Sequence, residues 1–402
     1  MSGLTAERVM IIAGESSGEL YGAYLARAIK HISPEARILG VGGDRMAAAG
    51  VELLSRISSS FGLIEAARTY RELKQTFRKA VAELSSFKPQ VLVLIDYPDF
   101  NLRLAEEARK RLIKILYYVS PQIWAWRKGR INKISKLVDK MAVILPFEEN
   151  LYLKTGLSCE FVGHPVMDEI RDVVGQEGFT TSDLGSAELK RHFKQKLGLD
   201  PGKPLITVMP GSRRHEILRL MPVLSSAIHK ISGKYPGHQL VIPVAPNVED
   251  CLFDSAVIPA TCRLLRDCAI DALAASDAAI IASGTSTLQA ALIQTPMVVV
   301  YRLSPLTFFV GRLIVKVKFI SLVNLLLEKS ACNDSGLRIT ELLQDKVSTE
   351  NIVAELTNIT NNNAHRAEMI SQLASIKELY EGKRASARVA EMVQELCNVH
   401  SL

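Results

Sequence analysis

Short apolar runs alternate along the chain with longer stretches whose apolar positions recur every three or four residues. In the first half the runs are "VMIIAG", "RILGVGG", "VLVLIDY", "KILYYVS" and "MAVILP". Runs of this length, bounded by glycine, proline or polar residues, predict buried strands. Between them lie "SSGELYGAYLARAIKHI" and "IEAARTYRELKQTFRKAVAELSSF", the second with Leu73, Phe77, Ala80, Val81 and Leu84 at helical spacing. "NLRLAEEARKRL" predicts a further helix. Strand, crossover helix and parallel strand make an α/β fold.

The stretch "DVVGQEGFTTSDLGSAEL", Asp172 to Leu189, is rich in Gly, Ser, Thr and Asp and predicts a linker or long loop. "ELKRHFKQKLGL" is helical, and the strands "LITVMPG", "QLVIPVA", "AAIIASG" and "MVVVYRL" restart the alternation. A second strand series after a polar break predicts a second α/β domain, with the boundary near residue 190. The division is therefore 1–190, 191–365 and a helical tail, 366–402, which follows a break at Asn361–Asn363 and is expected to pack back across the first domain. Neither internal repeats nor a heptad array is visible.

With 402 residues, 48% of them hydrophobic, the chain can bury two or three cores. Its net charge of +7 suits nucleic acid, anionic lipid or an anionic substrate, and does not choose among them. The six cysteines, at 159, 251, 262, 268, 332 and 397, form no C-x-x-C pair and no zinc spacing with histidine, and read as reduced thiols. "MSGLTAERVM" is too polar for a signal peptide. "NIT" at Asn358 fits a glycosylation pattern, which has meaning only in a secreted chain. In the segment Leu306–Leu327, Arg312, Lys316 and Lys318 interrupt what would otherwise approach the roughly 20 apolar residues of a spanning helix. Two readings stay open: a basic, apolar segment lying on an anionic membrane surface, or a buried element whose basic stems reach outward.

In open parallel sheets, ligands gather at the carboxyl ends of strands. Four such sites carry candidate chemistry. The first, "AGESSGELYG", lacks both the dinucleotide fingerprint and a Walker lysine. Ser16 or Ser17 can cap the following helix, and one glutamate gains from the helix dipole. Glu15 and Glu19 together would repel a pyrophosphate, so the turn favours a neutral, hydroxyl-rich group. The second, "VLVLIDYPDFNLRLAE", places Asp96 and Asp99 just after a strand. Asp99 is either a structural helix cap or a general base reaching into a cleft. The third, "LITVMPGSRRHEI", has a Pro-Gly turn with Gly211, Ser212, Arg213 and Arg214 at a helix start. It is either a phosphate seat or an ordinary basic turn. The fourth, "AAIIASGTSTLQAALIQTP", offers Gly284, Thr285 and neighbouring hydroxyls at a helix start, with Gln289 one turn in. Elsewhere, Trp124 and Trp126 sit beside Arg127, Lys128 and Arg130; the aromatics read as packing, while the basic run suits an anionic head group. His164 lies in a Gly-His-Pro turn.

Taken together, "AGESSGELYGA", "DYPDFNLRLA", "YYVSPQIWAWRKGR", "LPFEE", "FVGHPVMD", "PGSRRHEI", "SGTSTLQ", "YRLSPLTFF", "SLVNLLL" and "TELLQDKVSTENI" resemble the lipid-A-disaccharide synthases, in order, from about residue 8 to 356. The resemblance implies an inverting glycosyltransferase of the GT-B fold, with two Rossmann-like domains facing a cleft. Residues 1–190 would form the acceptor side, residues 191–365 would bind the UDP-sugar, and the 366–402 tail would pack back or exchange between the subunits of a homodimer. The implied reaction joins UDP-2,3-diacylglucosamine to 2,3-diacylglucosamine 1-phosphate (lipid X), giving a β-1,6 disaccharide 1-phosphate and UDP. It also implies no metal or other cofactor, no nucleic acid, and a place on the cytoplasmic face of the inner membrane of a Gram-negative bacterium.

Carried over by motif, Asp99 is the base for the acceptor 6-hydroxyl. Glu15, Ser16, Ser17 and Glu19 fall in the acceptor-side loop. Gly211, Ser212, Arg213, Gly284, Thr285, Gln289, Asn324, Glu341 and Gln344 fall in donor-side segments. The chain departs from the family pattern at Glu19, where aspartate is usual, at Gln289, where glutamate is usual, at Val323, where proline is usual, and in a longer connector between Leu327 and Glu341. An amide at 289 still hydrogen-bonds but loses the charge. The rivals are another UDP-sugar enzyme of the same fold, such as a peptidoglycan-type transferase or an epimerase, a nucleotide-sugar-binding protein without catalysis, and a membrane-surface scaffold.

Overall fold

A computed structural model describes residues 7–56, 63–126, 128–246, 248–254, 258–304, 318–329 and 338–398. The chain divides into two compact units. Unit 1 comprises the chain up to Asp168 and again from Gly382, and unit 2 is Glu169–Glu381.

Unit 1 holds seven parallel strands: β1 (Arg8–Ala13), β2 (Arg37–Gly42), β3 (Glu52–Arg56), β4 (Val91–Ile95), β5 (Lys114–Tyr118), β6 (Lys140–Val143) and β7 (Ser158–Phe161). Their spatial order is β3-β2-β1-β4-β5-β6-β7. β4, "VLVLI", is buried at every position because helices cover both faces of the sheet. The order reverses between β1 and β4, which pair directly, Ala13 opposite Ile95. That reversal opens a crevice at the strand ends, where the Gly14 and Asp96 turns emerge side by side.

Unit 2 repeats the plan with β8 (Leu205–Met209), β9 (Gln239–Val244), β10 (Cys262–Arg266), β11 (Ala278–Ala282), β12 (Met297–Tyr301) and β13 (Glu341–Leu343). Their order is β10-β9-β8-β11-β12-β13. Here the reversal lies between β8 and β11, with Met209 opposite Ile281, and the Gly211 and Gly284 turns emerge from it. The four strand-end sites are thus two pairs, one at the switch point of each sheet.

The break between units falls after Asp168, within the helix Pro165–Gln176, rather than near residue 190. The polar stretch expected as a loop is largely ordered. Asp172–Gln176 continues that helix, Thr180 and Asp183 cap a 3₁₀ turn, and Ser186 caps the helix Ala187–Lys196. Serine, threonine and aspartate serve there as caps rather than as linker filling.

The tail is divided too. The helix Asn363–Tyr380 packs in unit 2 against the helix Thr285–Ile293, and Ala385–Asn398 packs in unit 1 against the helix Ser16–Ile32 and β5. This last helix buries Val389, Val393 and Leu396. Asp168 accepts a hydrogen bond from the Ser386 N–H at 2.8 Å, at the helix's start. Arg388 grips both Glu160 oxygens, at 2.7 and 2.8 Å. No described helix is long and apolar enough to cross a membrane. Most of the segment 306–327, including Arg312 and Lys316, lies outside the described residues, as does much of the 328–340 connector. The five described cysteines are thiols, none of them in a disulfide.

Candidate active site

In unit 1, β4 ends in two consecutive left-handed residues, Asp96 (φ 48°) and Tyr97 (φ 46°). Left-handed backbone costs a residue with a side chain on the order of 1–3 kcal/mol, so something must hold the turn. Two buried side chains do. Asn101 Nδ2 donates to the Asp96 carbonyl at 2.7 Å, and the Tyr117 hydroxyl donates to the same oxygen at 2.6 Å. Opposite, a Cβ on Gly14 would stand 2.2 Å from Tyr97 Cγ, so only glycine lets this ring lie over the neighbouring turn. The result is a fixed corner from which the helix Pro98–Arg109 starts, with Pro98 in its first turn.

Asp99 occupies that first turn, its side chain 72% exposed. Arg130 Nη2 lies 2.8 Å from Asp99 Oδ1. The basic run read as suiting an anionic head group therefore places at least Arg130 on the candidate base; Arg127 lies outside the described residues. Asp96 is the more buried carboxyl. Burial, and then the negative charge of Glu15, push it up to about 6. Burial, Glu15 and Asp99 also raise the Tyr97 phenol.

The glutamates of the opening turn part company. Glu15, exposed, is the residue preceding the helix Ser16–Ile32 and contributes negative charge beside Asp96. Glu19 turns away: its Oε1 accepts the Arg45 N–H at 2.9 Å, at the start of the short helix Asp44–Ala48. A carboxylate on a helix N-terminus is electrostatically favoured. Glu19 thus ties the β2 end to the first helix. Ser17 is half-buried in that helix's first turn, where Ser16 is the opening residue.

In unit 2 the Pro-Gly turn has Gly211 at φ 111°, and a Cβ there would meet Glu216 Oε2 at 2.5 Å. Glu216, which no motif singles out, accepts the Arg213 N–H at 3.3 Å and approaches the Arg213 guanidinium at 3.4 Å. The helix Arg214–Lys234 therefore begins under a carboxylate of its own. Arg213 remains 52% exposed, and Ser212 is exposed beside it.

At the second turn of unit 2, Gly284 is exposed and Thr285 opens the helix Thr285–Ile293. Thr287 Oγ1 donates to the Gly284 carbonyl at 2.8 Å. Gln289 is buried, and its Nε2 donates to Glu169 Oε2 at 3.0 Å. The amide at 289 therefore answers a carboxylate 120 residues away.

Asn324, Glu341 and Gln344 hydrogen-bond within unit 2. Asn324 Nδ2 donates to the Ile339 carbonyl and to Glu341 Oε1, both at 2.8 Å, while its Oδ1 accepts the Ile339 N–H at 2.9 Å. Glu341 also accepts from Ser321 Oγ at 2.6 Å and from the Ile320 N–H at 3.0 Å. Gln344 pairs with both backbone groups of Leu303, at 2.6 and 3.1 Å. These three side chains bind the 318–329 segment and the end of β12 to the β13 edge.

His164 is buried, edge-on to Tyr21, and burial lowers it to about 3, so it stays neutral at physiological pH. Its Nδ1 accepts the Val166 N–H at 3.2 Å. Trp124 donates to Glu148 Oε1 at 2.9 Å, in agreement with packing. Among the described residues, no group of three His, Cys, Asp or Glu side chains is placed to hold a metal.

The chain matches a family model described as lipid-A-disaccharide synthetase over residues 9–395. It is 39% identical over 396 residues to the lipid-A-disaccharide synthase of Myxococcus xanthus (strain DK1622), covering 97% of each chain. It is 37% identical over 399 residues to that of Geobacter sulfurreducens (strain ATCC 51573 / DSM 12127 / PCA), covering 98% of each. Among solved structures it resembles the UDP-GlcNAc 2-epimerase of Neisseria meningitidis bound to UDP-GlcNAc, with TM-score 0.62 and 14% identity over 96% of this chain and 100% of that one. CalG4, the calicheamicin glycosyltransferase, gives TM-score 0.62 and 12% identity over 99% of this chain and 100% of that one. At such low identity these two likenesses speak for the fold alone.

Proposed function

The chain belongs to the lipid-A-disaccharide synthase family, and from that premise we propose a division of labour in which unit 1 activates the lipid acceptor and unit 2 holds the UDP of the donor. Its fold is GT-B, built from two Rossmann-like units. It is a glycosyltransferase that moves 2,3-diacylglucosamine from UDP-2,3-diacylglucosamine to 2,3-diacylglucosamine 1-phosphate.

Asp99 is the base. It removes the proton of the acceptor 6-hydroxyl as that oxygen attacks the anomeric carbon of the donor. The bond from this carbon to the UDP oxygen breaks on the opposite face, which inverts the configuration and gives the β-1,6 link. The departing diphosphate gains negative charge. Arg213 and the backbone N–H groups after Gly211 and Gly284 stabilise it there. Positive charge from the protein does what a metal ion does in other transferases. Glu15, beside Asp96, supplies acceptors for sugar hydroxyls. Gln289, held by Glu169, stands one turn into the helix that follows Gly284 and meets the donor's ribose.

The observation that carries this reading is the pairing of Asp99 with Arg130 on a locked corner at the switch point of unit 1. There a carboxylate is exposed, oriented and next to the crevice where a ligand of a parallel sheet binds. Acyl chains on both substrates support a seat at a membrane surface, which we propose is the cytoplasmic face of the inner membrane. A homodimer with exchanged C-terminal parts would involve the helix Ala385–Asn398, the segment that returns to unit 1 after the chain has built unit 2.

Purified protein mixed with both lipids tests the reaction. Disaccharide 1-phosphate and UDP in equal amounts, formed in the presence of a chelator, are expected. UDP release without disaccharide would refute the reading.

A further inference from the structure

A cavity of about 390 Å³ opens beside the Asp96–Asp99 corner of unit 1. It falls within the roughly 300–1,000 Å³ range of small-ligand pockets. Its floor is apolar, formed by Ile12, Ala13, Val41, Leu73 and Phe100. Tyr97 forms a wall, stacked on Phe100 with ring centroids 5.6 Å apart. This is the ring that lies over Gly14, so the cavity and the corner presenting Asp99 share a side chain.

The polar lining comprises Ser55, Arg56, Glu72, Gln75, Thr76 and Lys79, of which Arg56, Gln75 and Lys79 are exposed. The Ser55 and Thr76 hydroxyls bond one another at 2.8 Å. Arg56 and Lys79 are exposed cations at the rim, with Arg56 also ion-paired to Asp44 and Glu72 adding one carboxylate. A sugar would leave its hydroxyls against the apolar floor, each at a cost of about 1–3 kcal/mol without a partner. A hydrocarbon chain meets no such penalty, and an anionic head at its end finds the two rim cations.

We propose that this cavity receives one acyl chain of the lipid acceptor, with Arg56 and Lys79 facing the acceptor's phosphate. The proposal rests on the acceptor assignment above. The finite volume of the cavity, about 390 Å³, would then also limit how much of a chain can be seated while the sugar lies against Tyr97 and Asp99.

The test is binding of straight-chain alkyl phosphates, below their micelle thresholds, to the full chain, with inorganic phosphate as the chainless control. Affinity should rise about fourfold per added methylene, from roughly 0.8 kcal/mol each, and level off once the cavity is full. Inorganic phosphate should not compete. Leu73→Trp, which fills the floor, should weaken dodecyl phosphate at least tenfold. Lys79→Glu, an exposed change that leaves the core untouched, should weaken it about fivefold. Equal affinity across chain lengths, or wild-type affinity in a folded Leu73→Trp variant, would overturn the proposal. If Leu73→Trp does not fold, the wild-type length series and Lys79→Glu decide. Chain-dependent binding by a protein that forms no disaccharide would uphold the cavity and sink the reaction. Disaccharide formation with no chain dependence would sink the cavity alone.

Discussion

Arg130 Nη2 stands 2.8 Å from Asp99 Oδ1, and the two residues are 31 positions apart in the chain. The contact fixes which way an otherwise exposed carboxylate faces. Arg130 is thus a positioning residue for the proposed base. Arg130→Ala should lower kcat about tenfold through lost orientation, with the donor KM unchanged. In the Asp99→Asn background the same change should cost nothing further. Additive losses in kcat would separate Arg130 from Asp99.

Asp96 carries a prediction about stability. Its carboxyl is raised from 3.8 to about 6, first by burial and then by Glu15. The folded state therefore holds this proton more tightly than the unfolded chain does. Asp96 thus takes stability away as pH rises through the window from about 4 to 6. Asp96→Asn should stabilise the protein at pH 7 by on the order of 2 kcal/mol, a gain that fades below pH 4. Thermal melts of both proteins from pH 3.5 to 8 check this, and a pH-independent difference would contradict it.

Gln289 and Glu169 form a matched pair, amide to carboxylate at 3.0 Å, with Gln289 buried. Gln289→Glu sets two carboxylates against each other and should destabilise unit 2 by about 1–3 kcal/mol at neutral pH. Adding Glu169→Gln should restore most of that loss. A double-mutant cycle in urea gives the coupling directly, and zero coupling would mean that the pair does not matter.

Asn324 makes three short hydrogen bonds from a buried site, to Ile339 in both directions and to Glu341. Asn324→Ala leaves the N–H and carbonyl of Ile339 without these partners and should cost about 2–4 kcal/mol. The melting temperature should fall even without donor present. A variant that keeps wild-type stability while its donor KM rises would show that Asn324 acts on the ligand instead.

The nine strands read from the sequence are the inner strands of the two sheets, apolar because both faces are covered. The four without an apolar run are β3, β7, β10 and β13, the edges of those sheets. Edge strands such as "SCEF" and "CRLLR" are half exposed and carry charges that discourage further pairing, which also hides them from a search for apolar runs. The strand-end turns were legible for the same reason as the inner strands. Their partners were not: Arg130 on Asp99, Glu169 on Gln289 and Arg45 on Glu19 meet through the fold, not through local pattern. The roles of Asn101 and Tyr117 are not legible in the sequence because both act by holding a carbonyl, which no spacing announces.

The turnover of Asp99→Asn bears most directly on the proposed mechanism. The assay measures disaccharide 1-phosphate formed from both lipid substrates in chelator, beside wild type and with a matching melting temperature. Loss of a general base predicts kcat lower by about 10²–10⁴-fold with donor binding retained. Turnover within a few-fold of wild type would contradict the assignment of Asp99 and with it the account of how unit 1 activates the acceptor.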